Sequence, residues 1–264
     1  MVLMEVTVLH NELNLFSEPE SGFCLFIKFF SKKILFDISY SNDFILNAKK
    51  AKIELNFMDY LLFSHGHLDH TIGLKYFDIS KVKEVIAHPC CFEKKFFEGE
   101  GDIGSPFSTK EIKEKTKLTL VANPYWFIPK KAVFLGEIPR KTDFEKNQSI
   151  GYLANKAPDF VKDDSAIVFK TRHGLVILTG CSHSGVCNII MQAIEVCNDS
   201  RVLAVIGGFH LFDKNQIDKT IEFFKKRNIK QIYPMHCLNE YAFREFEKIG
   251  AKRLFALDKV EFNE

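Results

Sequence analysis

Residues Ser64-His65-Gly66-His67-Leu68-Asp69-His70 carry the most specific signal in this sequence. Four side chains that can bind a metal ion fall within six positions, and neutral imidazole and ionised carboxylate are preferred ligands of zinc and similar divalent ions. A surface loop that happens to be rich in histidine would be a simpler interpretation, but so dense a cluster is improbable by chance. The cluster predicts a metal site built on His65, His67, Asp69 and His70.

The residues just before this cluster predict that it follows a strand. Residues 59–64 form a short apolar run, which is too short for a helix and fits a buried strand. The cluster then occupies the loop at the carboxyl end of that strand, and a helix is expected to start after His70. A loop can direct several neighbouring side chains to one side, whereas a regular strand alternates them.

Periodicity elsewhere predicts alternating strands and helices in an α/β fold. Strands are expected at residues 4–10, 22–30, 33–36, 59–64, 82–87, 117–121, 132–135, 165–170, 175–179, 202–206, 231–233 and 253–257. Helices are expected at residues 42–52, 185–196, 216–227 and 240–249. This order suggests two β/α halves packed as a sandwich in a single domain over residues 1–264. Residues 92–150 are richer in Lys, Glu, Gly and Pro, so we expect an insertion or lid there.

Three later histidines also follow predicted strands. His183, His210 and His236 each come just after a strand, and sites in such folds form at the carboxyl ends of strands. Each alone would more often be an ordinary core or surface histidine, but together with the first cluster they favour a shared site. His173 falls in a predicted hairpin turn and is expected at the surface, while His88 is expected to be structural.

Composition limits the possible partners. With 264 residues, of which 46% are hydrophobic and 27% charged, the chain can bury a sizeable core, and its 27 phenylalanines predict an aromatic one. A net charge of +2 does not indicate a nucleic-acid partner, and no apolar run reaches the length of a membrane helix. The seven cysteines form no CxxC pairs and follow no secretory signal, so a cytoplasmic location with reduced thiols is expected. The oligomeric state stays open.

The first cluster resembles the signature of the metallo-β-lactamase superfamily. The resemblance implies an αββα sandwich with the site at one edge of its two sheets. It also implies that His65 and His67 bind one metal ion and that Asp69 and His70 bind a second. We expect the later ligands to be His183 and His236.

Later strings resemble one branch of this superfamily, typified by the dihydropterin–ribofuranosylaminobenzene phosphate synthase of tetrahydromethanopterin biosynthesis. They are Leu178-Thr179-Gly180-Cys181-Ser182-His183, then Gly207-Gly208-Phe209-His210-Leu211, then His236-Cys237. The chain departs from the branch at positions expected near the substrate, which are Ser21-Gly22, Ile38-Ser39 and Leu238-Asn239.

The resemblance also suggests substrate-binding residues. The segment from Gly136 to Arg140, followed by Phe144-Glu145, looks like the substrate-side loop of the branch, so Glu137 and Arg140 are expected to bind substrate. Cys181 stands where many superfamily members have an Asp that bridges the metals. A thiolate could also bind a metal, but we prefer His183 as the ligand and place Cys181 beside the substrate.

The expected activity is hydrolysis of a small, anionic, phosphate-bearing or ester-like substrate through a metal-bound hydroxide, with Asp69 and His210 as catalytic residues. Two divalent ions are expected, zinc first, with manganese or iron as alternatives. One alternative function is a transferase that joins a pterin diphosphate to an aminobenzene ribofuranosyl phosphate. Another is a non-catalytic, metal-stabilised binding protein. A flavodiiron-type protein or a nuclease of this fold would need a flavin domain or a basic nucleic-acid surface, and the sequence indicates neither.

Overall fold

The computed structural model describes residues 2–12, 22–145 and 149–263, so Ser21 lies outside the described residues. The strands in chain order are β1 Val2–Asn11, β2 Phe23–Phe29, β3 Lys32–Phe36, β4 Met58–Leu62, β5 Val82–Ala87, β6 Lys95–Phe97, β7 Gly101–Asp102, β8 Lys117–Leu120, β9 Tyr125–Ile128, β10 Ala132–Phe134, β11 Tyr152–Leu153, β12 Ala166–Thr171, β13 Gly174–Thr179, β14 Val202–Gly208, β15 Gln231–Met235 and β16 Lys259–Asn263. The α-helices are α1 Asp43–Lys50, α2 Leu68–Thr71, α3 Thr109–Lys113, α4 Val186–Cys197, α5 Lys214–Lys226 and α6 Glu240–Glu247. Turns of 3-10 helix cover Ile72–Lys75, Ile79–Lys81 and Pro89–Phe92.

The chain divides into two compact units. The first unit comprises Met1–Val121, Ser149–Asp159 and Phe255–Glu264, and the second comprises Ala122–Gln148 and Phe160–Leu254. Within the ranges that the structure describes, no helix has the length and apolar character needed to cross a membrane.

The first unit is built on a mixed sheet in the order β16-β1-β2-β3-β4-β5-β8. β1, β2 and β3 pair in antiparallel fashion, while β3, β4, β5 and β8 run parallel. Strands inside a parallel sheet are buried on both faces and therefore appear as continuous apolar runs. This explains why the short run in β4 was recognisable, and its carboxyl end leads into the cluster at residues 64–70.

The second unit carries a sheet in the order β15-β14-β13-β12-β10-β9. β13, β14 and β15 run parallel, and α4, α5 and α6 follow them in turn. The expected aromatic core is confirmed here, because the rings of Phe209, Phe224 and Phe246 are fully buried and lie 5.3 to 5.6 Å apart. Aromatic pairs at such spacing add packing energy beyond the area they bury.

Residues of the expected insertion contribute to both units. β6 and β7 form a small sheet with β11 in the first unit, where Lys95 and Asp159 form a buried ion pair at 3.2 Å. β9 and β10 extend the sheet of the second unit. A lid function for residues 92–150 stays a prediction.

One expected helix start and one expected strand are wrong. The helix expected after His70 begins at Leu68 instead, because Leu68 N donates to the carbonyl of Ile103 at 2.9 Å and Asp69 is well placed in a first helical turn. The strand expected at residues 253–257 is irregular, and the last strand is β16. Phe255 N donates to the Asp258 carboxylate at 2.8 Å, which closes a turn where the apolar pattern had indicated a strand.

Candidate metal centre

The cluster predicted first lies directly after β4 in the first unit. His67 is the N-cap residue of α2, and Asp69 and His70 lie within that helix. His65 Nε2 lies 3.0 Å from His67 Nδ1, and the rings of His65 and His70 are 4.2 Å apart. Asp69 and His70 offer ligand atoms within 4.8 Å of each other. The structure thus brings together the four residues that the sequence singled out.

A buried carboxylate that sequence reasoning missed lies beside this cluster. Asp37 follows β3, and its Oδ1 accepts a hydrogen bond from Ser64 N at 2.7 Å. Its Oδ2 accepts one from Ser64 Oγ at 2.6 Å and one from His70 Nδ1 at 2.7 Å. Asp37, Ser64 and His70 are fully buried, so these charge-assisted bonds are protected from water. Asp37 therefore fixes the position of both neighbours.

These contacts determine which imidazole nitrogens carry protons. A carboxylate only accepts, so His70 donates from Nδ1 and its Nε2 keeps a lone pair. The single hydroxyl proton of Ser64 goes to Asp37, so Ser64 Oγ accepts from His65 Nδ1 at 2.9 Å. His65 Nε2 then also keeps a lone pair. Outer hydrogen bonds of this kind orient metal-binding histidines in proteins.

The donor set fits a divalent metal ion. Nε2 of His70 faces Asp69 Oδ2 at 3.6 Å, and two acceptors at this separation are favourable only with a cation or a proton between them. Imidazole nitrogens and a carboxylate suit zinc, manganese and iron. His65, His67, Asp69 and His70 could therefore hold metal through the atoms that the structure turns toward one another.

In the second unit, three histidines lie at the carboxyl ends of parallel strands. β13, β14 and β15 are neighbours in the sheet, so His183, His210 and His236 follow strands that end at the same edge. The rings of His183 and His210 are 4.5 Å apart. His210 and His236 have φ angles of 46° and 55°, a sparsely populated conformation that clusters at functional sites.

His210 differs from an ordinary surface histidine in its protonation. Burial, followed by the charge of the neighbouring His236, lowers the pKa of His210 to about 4. At pH 7 the ring is therefore neutral and offers one N–H donor and one acceptor. Such a ring can donate or accept a hydrogen bond without carrying a positive charge.

Cys181 lies in the turn after β13 and is buried. Its carbonyl oxygen accepts a hydrogen bond from Cys237 Sγ at 3.2 Å. A Cβ atom on Gly208 would lie 2.7 Å from that sulfur, so only glycine at this position lets β14 pass so close to Cys237. A role for Cys181 in substrate binding stays a prediction.

The turn that carries His183 is held by a second carboxylate that sequence reasoning missed. Asp164 Oδ2 accepts hydrogen bonds from Ser184 N at 2.9 Å and from Ser184 Oγ. Burial raises the pKa of Asp164 to about 6, against the opposing effect of these bonds. Asp37 is a single acidic residue directly after the apolar strand β3, and that contrast is a sequence signal that could have identified it, whereas Asp164 follows another acidic residue, Asp163, and has no such signal.

The two residues expected to bind substrate differ in their surroundings. Glu137 is exposed, and its main-chain N donates to the carbonyl of Ala122 at 2.9 Å. Arg140 is partly buried and donates from Nη1 to the carbonyl of His183 at 2.9 Å and from Nη2 to the carbonyl of Phe160. Arg140 is therefore bound to main-chain atoms around the His183 turn.

Two other histidines behave as expected. His173 is exposed in the turn between β12 and β13. His88 is buried, and its Nδ1 accepts from Cys90 N at 3.2 Å, which caps a short 3-10 turn. His173 therefore lies at the surface as expected, and the contact of His88 agrees with the structural role expected for it.

Comparison with known proteins gives consistent matches. A family model described as the metallo-beta-lactamase superfamily matches residues 18–188. The chain is 33% identical over 251 residues to 7,8-dihydropterin-6-methyl-4-(beta-D-ribofuranosyl)-aminobenzene-5'-phosphate synthase of Methanocaldococcus jannaschii, covering 88% of this chain and 85% of that protein. An uncharacterized protein of the same organism is 31% identical over 238 residues, with 88% and 89% covered. The crystal structure of a metal-dependent hydrolase of the β-lactamase superfamily gives a TM-score of 0.82 at 28% identity, covering 99% of this chain and 100% of that one.

The fold and the histidine clusters define a metal-dependent enzyme built on α/β units. The chain belongs to the metallo-β-lactamase superfamily. The predicted fold class is confirmed, and so is the resemblance to the synthase branch.

Proposed function

We propose that this enzyme is a transferase that joins a pterin diphosphate to an aminobenzene ribofuranosyl phosphate. The observation that carries the proposal is the 33% identity to the synthase over 88% of the chain. The phosphate groups of both reactants suit a site with divalent metal. Membership of an enzyme superfamily disfavours the alternative of a non-catalytic binding protein.

We infer that the metal ligands are the six residues His65, His67, Asp69, His70, His183 and His236. The hydrogen bonds from His65 to Ser64 and from His70 to Asp37 support the first group, because they leave Nε2 of each ring able to bind metal. Bound divalent ions would neutralise charge on the diphosphate and so favour its departure. Elemental analysis of protein purified without chelator tests the number, with about two equivalents expected and a single equivalent contradicting the two-metal proposal.

In the proposed reaction one bond forms, one bond breaks and one proton is released. The amine nitrogen of the arene forms a bond to the pterin methylene carbon, the bond from that carbon to the diphosphate oxygen breaks, and the amine loses a proton. Asp69 is a partly exposed carboxyl group in the first cluster, so it is our candidate to receive that proton. His210 is neutral at pH 7, which suits it to donate a hydrogen bond to a phosphate oxygen. Glu137 and Cys181 remain candidates for contacts to substrate.

A second candidate is hydrolysis, which the similarity to the metal-dependent hydrolase favours. Water would then take the place of the amine. One experiment separates the two functions: metal-loaded protein is mixed with the pterin diphosphate, with and without the arylamine, and products are quantified by mass spectrometry. Equal amounts of joined product and diphosphate, formed only with both reactants, support the transferase. Diphosphate release at the same rate without the amine supports the hydrolase, and no reaction with either overturns the proposed substrate.

A further inference from the structure

The loop of residues 136–145 is attached to the turn that carries His183. Arg140 begins this attachment, because its Nη1 donates to the carbonyl of His183 at 2.9 Å and its Nη2 donates to the carbonyl of Phe160. A guanidinium group presents its donors in a rigid plane, so two carbonyls bound at once fix their relative position. The main chain at His183 is thereby tied to a side chain 43 positions earlier.

Glu145 attaches the same loop to the start of α4, just after the turn. Its Oε1 accepts from Cys187 N at 2.9 Å, and its Oε2 accepts from Asn188 N at 3.1 Å. These are main-chain N–H groups of the first turn of α4, which have no partner within the helix. Glu145 is buried, and a Cβ atom on Gly185 would lie 2.5 Å from its side chain. A distant carboxylate therefore serves as the cap of α4.

Asn188 joins the loop and the turn through one side chain. Its Oδ1 accepts from Lys141 N at 2.8 Å and from Thr142 N at 2.9 Å. Its Nδ2 donates to the carbonyl of Ser184 at 2.8 Å. Asn188 is almost fully buried, so these bonds are shielded from water and costly to leave unmade.

We propose that Arg140 is a positioning residue for His183, held in place by the contacts of Glu145 and Asn188. It acts by fixing the main chain of His183, and hence the direction of the imidazole, rather than by contacting substrate. The inference rests on the proposed role of His183 as a metal ligand. Residues that orient metal ligands in this way typically change metal affinity by 10- to 100-fold when they are replaced.

Metal binding of Arg140 variants tests this proposal without any substrate. Co²⁺ is titrated into metal-free protein, and the affinity is read from its visible absorption. We expect Arg140→Ala to weaken Co²⁺ binding about 10- to 100-fold and Arg140→Lys to weaken it less. Millimolar guanidinium should restore part of the affinity to Arg140→Ala, whereas the same concentration of sodium chloride should not. Lys141→Ala is the matched control, because that side chain on the same loop pairs with Glu195 at 2.6 Å and should leave Co²⁺ binding unchanged.

A double variant gives the sharpest result. If Arg140 acts through His183, Arg140→Ala should have no further effect on Co²⁺ affinity in a His183→Ala background. An equal loss in both backgrounds would overturn the proposal. So would wild-type Co²⁺ affinity in Arg140→Ala combined with a raised KM for a phosphate-bearing substrate, since that outcome assigns Arg140 to substrate binding. Co²⁺ binding needs no turnover, so this test does not depend on whether the proposed transferase reaction occurs. A failure of that reaction would appear only in the product analysis.

Discussion

At the scale of single residues, Asp37 shows how one buried carboxylate sets the state of two candidate ligands. It accepts directly from His70 and, through the hydroxyl of Ser64, controls His65. Both rings then present Nε2 lone pairs, which is the form that a metal ion requires. The proposed metal site would therefore depend on a residue outside the proposed ligand set.

Replacing Asp37 with Asn should weaken metal binding. The amide keeps one acceptor oxygen, so it cannot accept from both the Ser64 main chain and the Ser64 and His70 side chains. We expect a loss of about 10- to 100-fold in zinc affinity, measured by competition with a chromophoric chelator. Asp59→Asn is the control, because Asp59 is also buried in the first unit but binds Lys32 and the Lys33 main chain. Equal affinities of the wild type and Asp37→Asn would contradict this role.

Asp164 should make stability depend on pH in the metal-free protein. Its pKa of about 6 lies above the ordinary value of 3.8, so the folded state binds a proton more tightly than the unfolded state. The stabilisation from this group is complete below about pH 4 and is lost as the pH rises through about 6, by roughly 3 kcal/mol. Asp164→Asn should remove that slope, as measured by urea unfolding at pH 4.5 and 7.5. Parallel pH profiles for the two proteins would show that Asp164 is not the group involved.

At the scale of elements, the parallel strands were the easiest part to predict. β13, β14 and β15 are continuous apolar runs, and the sequence placed each within a few residues of its observed bounds. The wrong predictions were the start of α2 and the strand at residues 253–257, where contacts to other residues decide the local structure. The carbonyl of Ile103 accepts a hydrogen bond from Leu68 N, where α2 begins. The Asp258 carboxylate closes a turn in a segment that the apolar pattern had predicted as a strand. Such partners are distant or polar, so periodicity does not reveal them.

Gly207 in β14 should be intolerant of any side chain. Its φ is +134°, and an added Cβ would lie 1.9 Å from the carbonyl oxygen of Thr179 on β13. We expect Gly207→Ala to cost roughly 3 kcal/mol or more in the free energy of unfolding. Gly250→Ala is the matched control, because φ is +94° there but nothing lies within 4 Å of the added atom. It should cost only about 1 kcal/mol, so similar losses in urea unfolding would contradict the proposed crowding.

At the scale of the whole molecule, the sequence predicted the candidate ligands but not the residues that hold them in place. His65, His183 and His236 each follow a predicted strand, so the sequence could name them as candidate metal ligands. Asp37 lies 33 positions from His70, and Arg140 lies 43 positions from His183. Contacts of that separation are decided by the packing of the chain, so a single sequence does not show which residues these two side chains contact. The roles inferred for Asp37 and Arg140 follow from their hydrogen-bond partners in the structure.

Metal binding should stabilise the whole protein. A ligand that binds only the folded state adds about 2.7 kcal/mol at 100 times its Kd, so the Tm should rise with zinc concentration and fall when a chelator is added. His67→Ala should lose a large part of this metal-dependent shift, because it removes a proposed ligand. His173→Ala should keep all of it, since His173 is exposed in a turn of the second unit. The comparison uses the shift within each variant, so any general destabilisation by a substitution cancels. If zinc and chelator leave the wild-type Tm unchanged, the six-ligand proposal is wrong and the histidines serve the fold alone.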